Sequence, residues 1–156
     1  MSKNLYIVGT LAGLAGNALK MIMTWAFYWL GFLDYTFCHL CAGMVISPAR
    51  IREPLSVFIG VLLDYTVASF FGLFAYYIYL KTGGGYYWLR GVGFGVFTFL
   101  VCCGVLCPVF SVATSRAPQT AFFYLLPNLL YGLSMMAFIC RHAPYFQELK
   151  DLPPGR

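Results

Sequence analysis

The chain has 156 residues, of which 61% are hydrophobic and only 10% are charged, whereas soluble domains carry about 25% charged residues. A water-soluble fold of this size could not bury so much apolar surface, so the composition excludes an ordinary soluble domain and favours one compact domain in lipid. The net charge of +5 is spread along the chain without a basic cluster, which speaks against a nucleic-acid partner.

Four apolar runs are long enough to cross a bilayer as helices, which takes about 20 residues. They cover residues 5–33, 55–80, 88–110 and 120–139. Their length and the lack of period-2 alternation predict helices rather than strands. We expect an all-α integral membrane protein with four transmembrane helices in a single domain over residues 1–142, followed by a polar cytoplasmic tail at 143–156.

The distribution of positive charge predicts the orientation. With the N-terminus inside, six Lys and Arg residues lie on the cytoplasmic side and three on the outer side. The six are Lys3, Lys81, Arg90, Arg141, Lys150 and Arg156, and the three are Arg50, Arg52 and Arg116. Because Lys and Arg concentrate on the cytoplasmic side, we expect a multi-pass protein of the cell membrane with both termini in the cytoplasm.

The first span carries its small and polar residues on one helical face, within roughly 100°. They are Gly9, Gly13, Gly16, Asn17, Lys20 and Thr24. The spacing of the first two glycines is typical of closely packed membrane helices. We expect this face to contact neighbouring helices and the bulky residues to face lipid.

The segment after the first span, residues 35–47, is apolar but too short to cross a membrane. We interpret it as interfacial or re-entrant. It contains Cys38-His39-Leu40-Cys41, and two thiols at this spacing can cycle between dithiol and disulfide or share a metal. A second C-x-x-C is missing, so we expect no metal site.

The other three spans also carry a stripe of small and polar residues, which predicts a bundle packed through small-residue faces. The stripe of the second span is Ser56, Gly60, Asp64, Ala68, Gly72 and Ala75. The third has Gly91, Gly95, Thr98 and Cys102, and the fourth has Ala121, Tyr124, Asn128, Gly132 and Met135.

The polar residues of the four stripes lie at similar depths, about nine or ten residues from the outer helix ends. This predicts a polar site in the membrane made of Asn17, Lys20, Asp64, Asn128 and Cys102. A lone lysine at the bilayer centre costs about 2.5–3.5 kcal/mol, so we expect an ion pair between Lys20 and Asp64. Such a pair can fix helix register or assembly, bind a small substrate or relay protons, and Lys20 can alternatively reach the membrane surface.

The position of Cys38 and Cys41 just after the first span resembles four-helix disulfide-generating membrane oxidases of the DsbB type. Those enzymes carry a second cysteine pair in the long outer loop before their fourth helix, and this chain has none there. The resemblance implies a thiol-disulfide oxidoreductase with Cys38 and Cys41 as its catalytic pair and a quinone as cofactor.

The sequences "WLRGVGFGVFTFLVCCGVLCPVF" and "LLPNLLYGLSMMAFI" resemble the C-terminal half of YqhR-like proteins, small four-helix membrane proteins of spore-forming Firmicutes. The shared features are Gly91 and Gly95 after an aromatic residue, Pro108 at the end of the third span, and Leu130-Tyr131-Gly132. The resemblance implies a bacterial source and a four-helix topology, and it implies no activity.

Three functions remain open. The leading expectation is a non-enzymatic accessory or scaffold subunit, or a small-solute binding component, that uses the Lys20–Asp64 site. Its expected partners are the bilayer and further copies of itself or other membrane subunits. We expect no cofactor, although the composition is compatible with a bound lipid, and a quinone belongs only to the oxidoreductase alternative. The alternatives are the thiol-disulfide oxidoreductase and a small proton-coupled transporter that uses Lys20 and Asp64.

Overall fold

The computed structural model describes residues 3–83, 85–109 and 118–148, and this part of the chain is helical without strands. Its elements are α1 (Lys3–Trp29), α2 (Phe37–Gly43), a 3₁₀ turn (Pro48–Arg50), α3 (Pro54–Thr82), α4 (Tyr87–Phe99), a π-helical segment (Leu100–Leu106), α5 (Cys107–Val109) and α6 (Pro118–Glu148). The predicted all-α class is confirmed. Within these described ranges, four helices are long and apolar enough to cross a membrane.

The helix ends differ from the prediction in two places. The first helix ends at Trp29 instead of residue 33, because Gly31 adopts a left-handed conformation with φ +77° and turns the chain. The last helix continues past residue 139 to Glu148, so the predicted tail begins as helix. Residues 110–117, between α5 and α6, and residues 149–156 of the predicted tail lie outside the described residues.

The third span is not a uniform α-helix. Regular α-helix ends at Phe99, and Leu100–Leu106 continues as a π-helix before the short α5. Because a π-helix is wider than an α-helix and recurs near functional sites, the C-terminal part of this helix is a candidate position for a functional site.

Four helix contacts hold the described part of the bundle together. Helix α1 packs against both α3 and α6, α4 packs against α6, and the short α2 packs against α3. Helices α3 and α4 meet through edge-to-face ring pairs, Phe71 with Phe97 and Phe74 with Phe94, each at 6.0 Å between centroids. We call this contact between α3 and α4 the aromatic seam.

Two glycine clusters allow the closest helix contacts, and they share one geometry. A Cβ added to Gly72 of α3 would lie 2.8 Å from Cα of Gly13, and closer still to the carbonyl oxygen of Gly9. A Cβ added to Gly132 of α6 would likewise lie 3.0 Å from Cα of Gly95 in α4. Real Cβ atoms are essentially never this close to the backbone of another helix, so only glycine permits these contacts. We call the two clusters the glycine clasps.

The sequence stripes match the buried faces. All six residues of the α1 stripe and all six of the α3 stripe are buried, as predicted. In α6 the stripe residue Ala121 is exposed, while the other four are buried. The bulky side chains of α1 and α3 point outwards instead, with Ile22 68% and Phe70 66% exposed.

The segment after α1 folds back onto the bundle as the short helix α2, and Phe37–Ala42 is entirely buried. The helix starts at Thr36, whose backbone N–H donates to Nδ1 of His39 at 3.2 Å. It sits on Gly60 of α3, where an added Cβ would lie 2.8 Å from the carbonyl carbon of Cys38. This glycine therefore positions the C-x-x-C segment against α3.

Candidate functional site

An ion pair lies at the centre of the α1–α3 contact. The Lys20 ammonium donates to Oδ1 of Asp64 at 2.7 Å, and the Asn17 amide donates to Oδ2 of the same carboxylate at 2.9 Å. Lys20 is 5% exposed, Asp64 3% and Asn17 0%. Both oxygens of the buried carboxylate are thus paired with donors on α1, which is what a buried charge requires.

The short helix α2 closes over this pair. The ring of Phe37 lies with its centroid 4.5 Å from the Lys20 ammonium, which is cation–π distance. The thiol of Cys41 lies 3.9 Å from Oδ1 of Asp64. The C-x-x-C segment and the charged pair, which the sequence presents as two separate candidates, therefore form one site.

Helix α6 contributes an aromatic side chain to the same site. The ring of Tyr131 lies 5.6 Å from the Lys20 ammonium, and its hydroxyl donates to the carbonyl of Ala68 at 2.9 Å. Tyr131 packs against Gly16, where an added Cβ would lie 3.1 Å from the ring. The sequence does not single out Phe37 or Tyr131 as site residues. The one signal for Tyr131 is that it lies about one helical turn after Asn128, which belongs to the α6 stripe.

Asn128 belongs to a different contact. Its amide donates to the carbonyl of Tyr124 at 2.8 Å, and its Oδ1 accepts a hydrogen bond from the Thr98 hydroxyl at 3.3 Å. The bond from Thr98 joins α4 to α6, the bond to Tyr124 lies within α6, and neither reaches the ion pair. Of the two amides in the predicted polar site, the structure places only Asn17 against the Asp64 carboxylate.

A cavity of about 220 Å³ lies beside the ion pair, between α2, α3 and the π-helical segment. Asp64 and Cys102 both line it, so the predicted site residue Cys102 shares a cavity with the carboxylate rather than a hydrogen bond. The remaining wall is apolar and includes Phe37, Leu40, Leu63, Val67 and Leu106. A cavity of about 150 Å³ holds a benzene molecule, so this one accommodates a small organic molecule.

The polar cluster has one acceptor left over. Oδ1 of Asn17 is buried and has no hydrogen-bond partner among the described residues. Buried polar atoms in native proteins are nearly always paired with protein, water or ligand. Asn17 is 0% exposed and does not line the cavity, so this oxygen is an unpaired acceptor inside the cluster.

The chemistry of the C-x-x-C thiols is set by their burial. Burial and the nearby Asp64 carboxylate raise the pKa of Cys38 to about 11, and the same two causes raise the pKa of Cys41. All six cysteines carry free thiols. Because the thiolate is the nucleophile in disulfide exchange, a raised pKa makes both thiols poor redox nucleophiles.

We expect Cys38 to be alkylated slowly by N-ethylmaleimide at pH 7.5 in native membranes. The shift of its pKa from 9.0 to about 11 lowers the thiolate fraction about 100-fold. Acid-quenched labelling read by mass spectrometry measures this rate, and the same thiol after denaturation in SDS is its own control. Fast labelling contradicts the prediction, and a reducible Cys38–Cys41 disulfide in native membranes makes the oxidoreductase the leading function.

No three His, Cys, Asp or Glu side chains come together as a metal site would require, within the part of the chain that the structure describes. Comparisons with protein-family models, with curated proteins and with solved structures find no match to this chain. The resemblances to YqhR-like proteins and to DsbB-type oxidases therefore stay predictions. The site has to be interpreted from its own geometry.

Proposed function

We propose that the protein is a multi-pass membrane protein, with both termini in the cytoplasm, that holds a small and mostly apolar molecule beside the Lys20–Asp64 pair. The four long apolar helices and their outward-facing bulky side chains support the membrane location. The excess of Lys and Arg on one side supports the orientation. On this proposal the protein is a binding component rather than an enzyme.

The cavity beside Asp64 carries the proposal. Ligand sites are mostly apolar cavities with a few polar groups that orient the ligand. Here the apolar wall is supplied by α2, α3 and the π-helical segment, and the polar groups are a carboxylate and the thiols of Cys41 and Cys102. The ion pair of Asp64 and Lys20 carries no net charge. The Asp64 carboxylate therefore suits a hydroxyl or amide donor on the ligand better than a charged group.

The proposed ligand is therefore an uncharged molecule of one or two rings, or of similar size, with one hydrogen-bond donor. It would place its donor on Asp64 and its apolar part against Leu63 and Val67. A molecule of this kind dissolves in the bilayer, so it can reach the protein without passing through water.

Photolabelling of the full chain in nanodiscs tests this function, with a benzyl alcohol that carries a trifluoromethyl diazirine as the probe. We expect saturable labelling of α2 and of the π-helical segment, and competition by unlabelled benzyl alcohol. Val67→Phe fills the cavity and should reduce this labelling at least about five-fold. Thr66→Phe adds the same ring at an exposed position of the same helix and should leave the labelling unchanged.

Two results would overturn the proposed function. One is labelling that is linear in probe concentration and equal at all lipid-facing residues. The other is an equal reduction of labelling in the two phenylalanine variants. A proton-coupled transporter stays the other interpretation of Lys20 and Asp64, and it requires pH-driven uptake into vesicles that Asp64→Asn abolishes.

A further inference from the structure

A second cavity lies along the aromatic seam, at the opposite end of α3 from the Lys20–Asp64 site. Its volume is about 390 Å³, and its walls are Phe74 and Ile78 of α3 and Arg90, Gly93, Phe94 and Phe97 of α4. A Cβ added to Gly93 would meet no atom within 4 Å. The glycine therefore serves no helix contact, and its missing side chain keeps the cavity open.

One end of this cavity is cationic. The Arg90 guanidinium donates to the carbonyl of Gly83 and, at 3.2 Å, to that of Thr82, which holds it over the C-terminus of α3. Arginine has five N–H donors, so donors remain for a further partner. Lys81 adds a second positive charge in the last turn of α3. Neither side chain forms an ion pair with any carboxylate whose position the structure describes.

The same end carries the aromatic residues typical of the headgroup level of a membrane. Tyr86 is 76% exposed and Trp88 is 55% exposed, both in or next to the turn between α3 and α4. Arg90 follows Trp88 by two residues, and Phe97 lies two turns further along α4, about 10 Å deeper. The cavity therefore runs from a cationic group at headgroup depth into an apolar groove.

We propose that this groove binds an anionic phospholipid of the cytoplasmic leaflet. The phosphate would pair with Arg90, which suits phosphate because of its planar fork of donors. One acyl chain would lie over Gly93 between Phe74 and Phe97. The proposal rests on the proposed membrane insertion and does not depend on the cavity beside Asp64.

Native mass spectrometry of the full chain in a zwitterionic detergent tests this site. The probes are phosphatidylglycerol and phosphatidylcholine with identical acyl chains, and glycerol phosphate as a headgroup without chains. We expect phosphatidylglycerol to bind at least about ten-fold more tightly than phosphatidylcholine, and glycerol phosphate not to be retained. Arg90→Gln should abolish the preference, whereas Arg52→Gln, which removes an arginine from the other end of the bundle, should preserve it.

A second variant covers the possibility that Arg90→Gln unfolds the end of α3. Gly93→Leu fills the groove without changing charge and should weaken the binding of both lipids at least about five-fold. Equal affinity for the two lipids in the unmodified protein overturns the proposal, as does unchanged binding in folded Gly93→Leu. If the protein instead stays monodisperse without detergent, the proposed membrane location itself is contradicted. Failure of the lipid site can therefore be distinguished from failure of the proposed membrane location.

Discussion

Replacing Asp64 with leucine is expected to lower the free energy of unfolding by about 3 kcal/mol. The variant leaves the Lys20 ammonium buried without its carboxylate, and a lone lysine at the centre of a membrane helix costs about 2.5–3.5 kcal/mol. The Phe37 and Tyr131 rings near the ammonium supply only part of this energy. Unfolding by SDS in bicelles, followed by tryptophan fluorescence, measures the effect.

The double variant distinguishes a lost ion pair from lost packing. Lys20→Met combined with Asp64→Leu should lie within about 1 kcal/mol of the unmodified protein, because apolar replacement of both partners of a buried pair is often neutral. The matched control is Glu53→Leu, which breaks the exposed Arg50–Glu53 pair of similar length, 2.8 Å, and should cost less than about 1 kcal/mol. Additive single effects of Lys20→Met and Asp64→Leu would contradict a stabilising pair.

The second large effect is expected at the glycine clasps. Gly72→Ala places a methyl group 2.8 Å from Cα of Gly13, so α1 and α3 must separate. Overpacking of this kind costs about 1–3 kcal/mol, and we expect a value near the upper end because the nearest atoms are backbone atoms of α1, at Gly9 and Gly13, which cannot rotate away. The thermal midpoint of the detergent-solubilised protein, read by size-exclusion chromatography after heating, should fall clearly.

Gly93→Ala is the matched control for this prediction. It makes the same substitution in a helix, but a Cβ there meets no atom within 4 Å. Since alanine favours helix over glycine by about 1 kcal/mol, the midpoint should stay unchanged or rise. Equal losses in the two variants would show that the close contact with α1 does not explain the effect at Gly72, because the substitution at Gly93 creates no such contact.

The helical framework could be predicted because two strong signals agreed. The apolar runs gave four helices from their length alone, and the small-residue stripes of α1 and α3 identified the buried faces that contain Lys20 and Asp64. The pairing of these two charges followed from equal depth and from the cost of leaving either one alone. Local periodicity was sufficient for α1 and α3 because the small residues of each of these two helices lie on a single buried face.

The position of α2 could not be predicted in the same way. Residues 37–42 show no separation into an apolar and a polar helix face from which a helix could be predicted, because all six are buried. Their placement depends on the turn at Gly31 and on the space over Gly60, which are tertiary features. For the same reason the contacts of Phe37 and Cys41 with the ion pair were missed. Equal depth placed Asn128 in the same predicted site as Asp64, but its side chain bonds to Thr98 of α4 and to Tyr124 of its own helix.

The order of Lys20 and Asp64 along the chain also determines how long the lysine exists without its partner during translation. Asp64 follows Lys20 by 44 residues, and at about 5–20 residues per second the ribosome needs about 2–9 s to make that stretch. During this interval Lys20 has no acidic partner within its own helix, since α1 contains no Asp or Glu. On the proposed membrane location, α1 lacks the carboxylate partner of its lysine until α3 has been made, so we expect α1 and α3 to settle in the bilayer together.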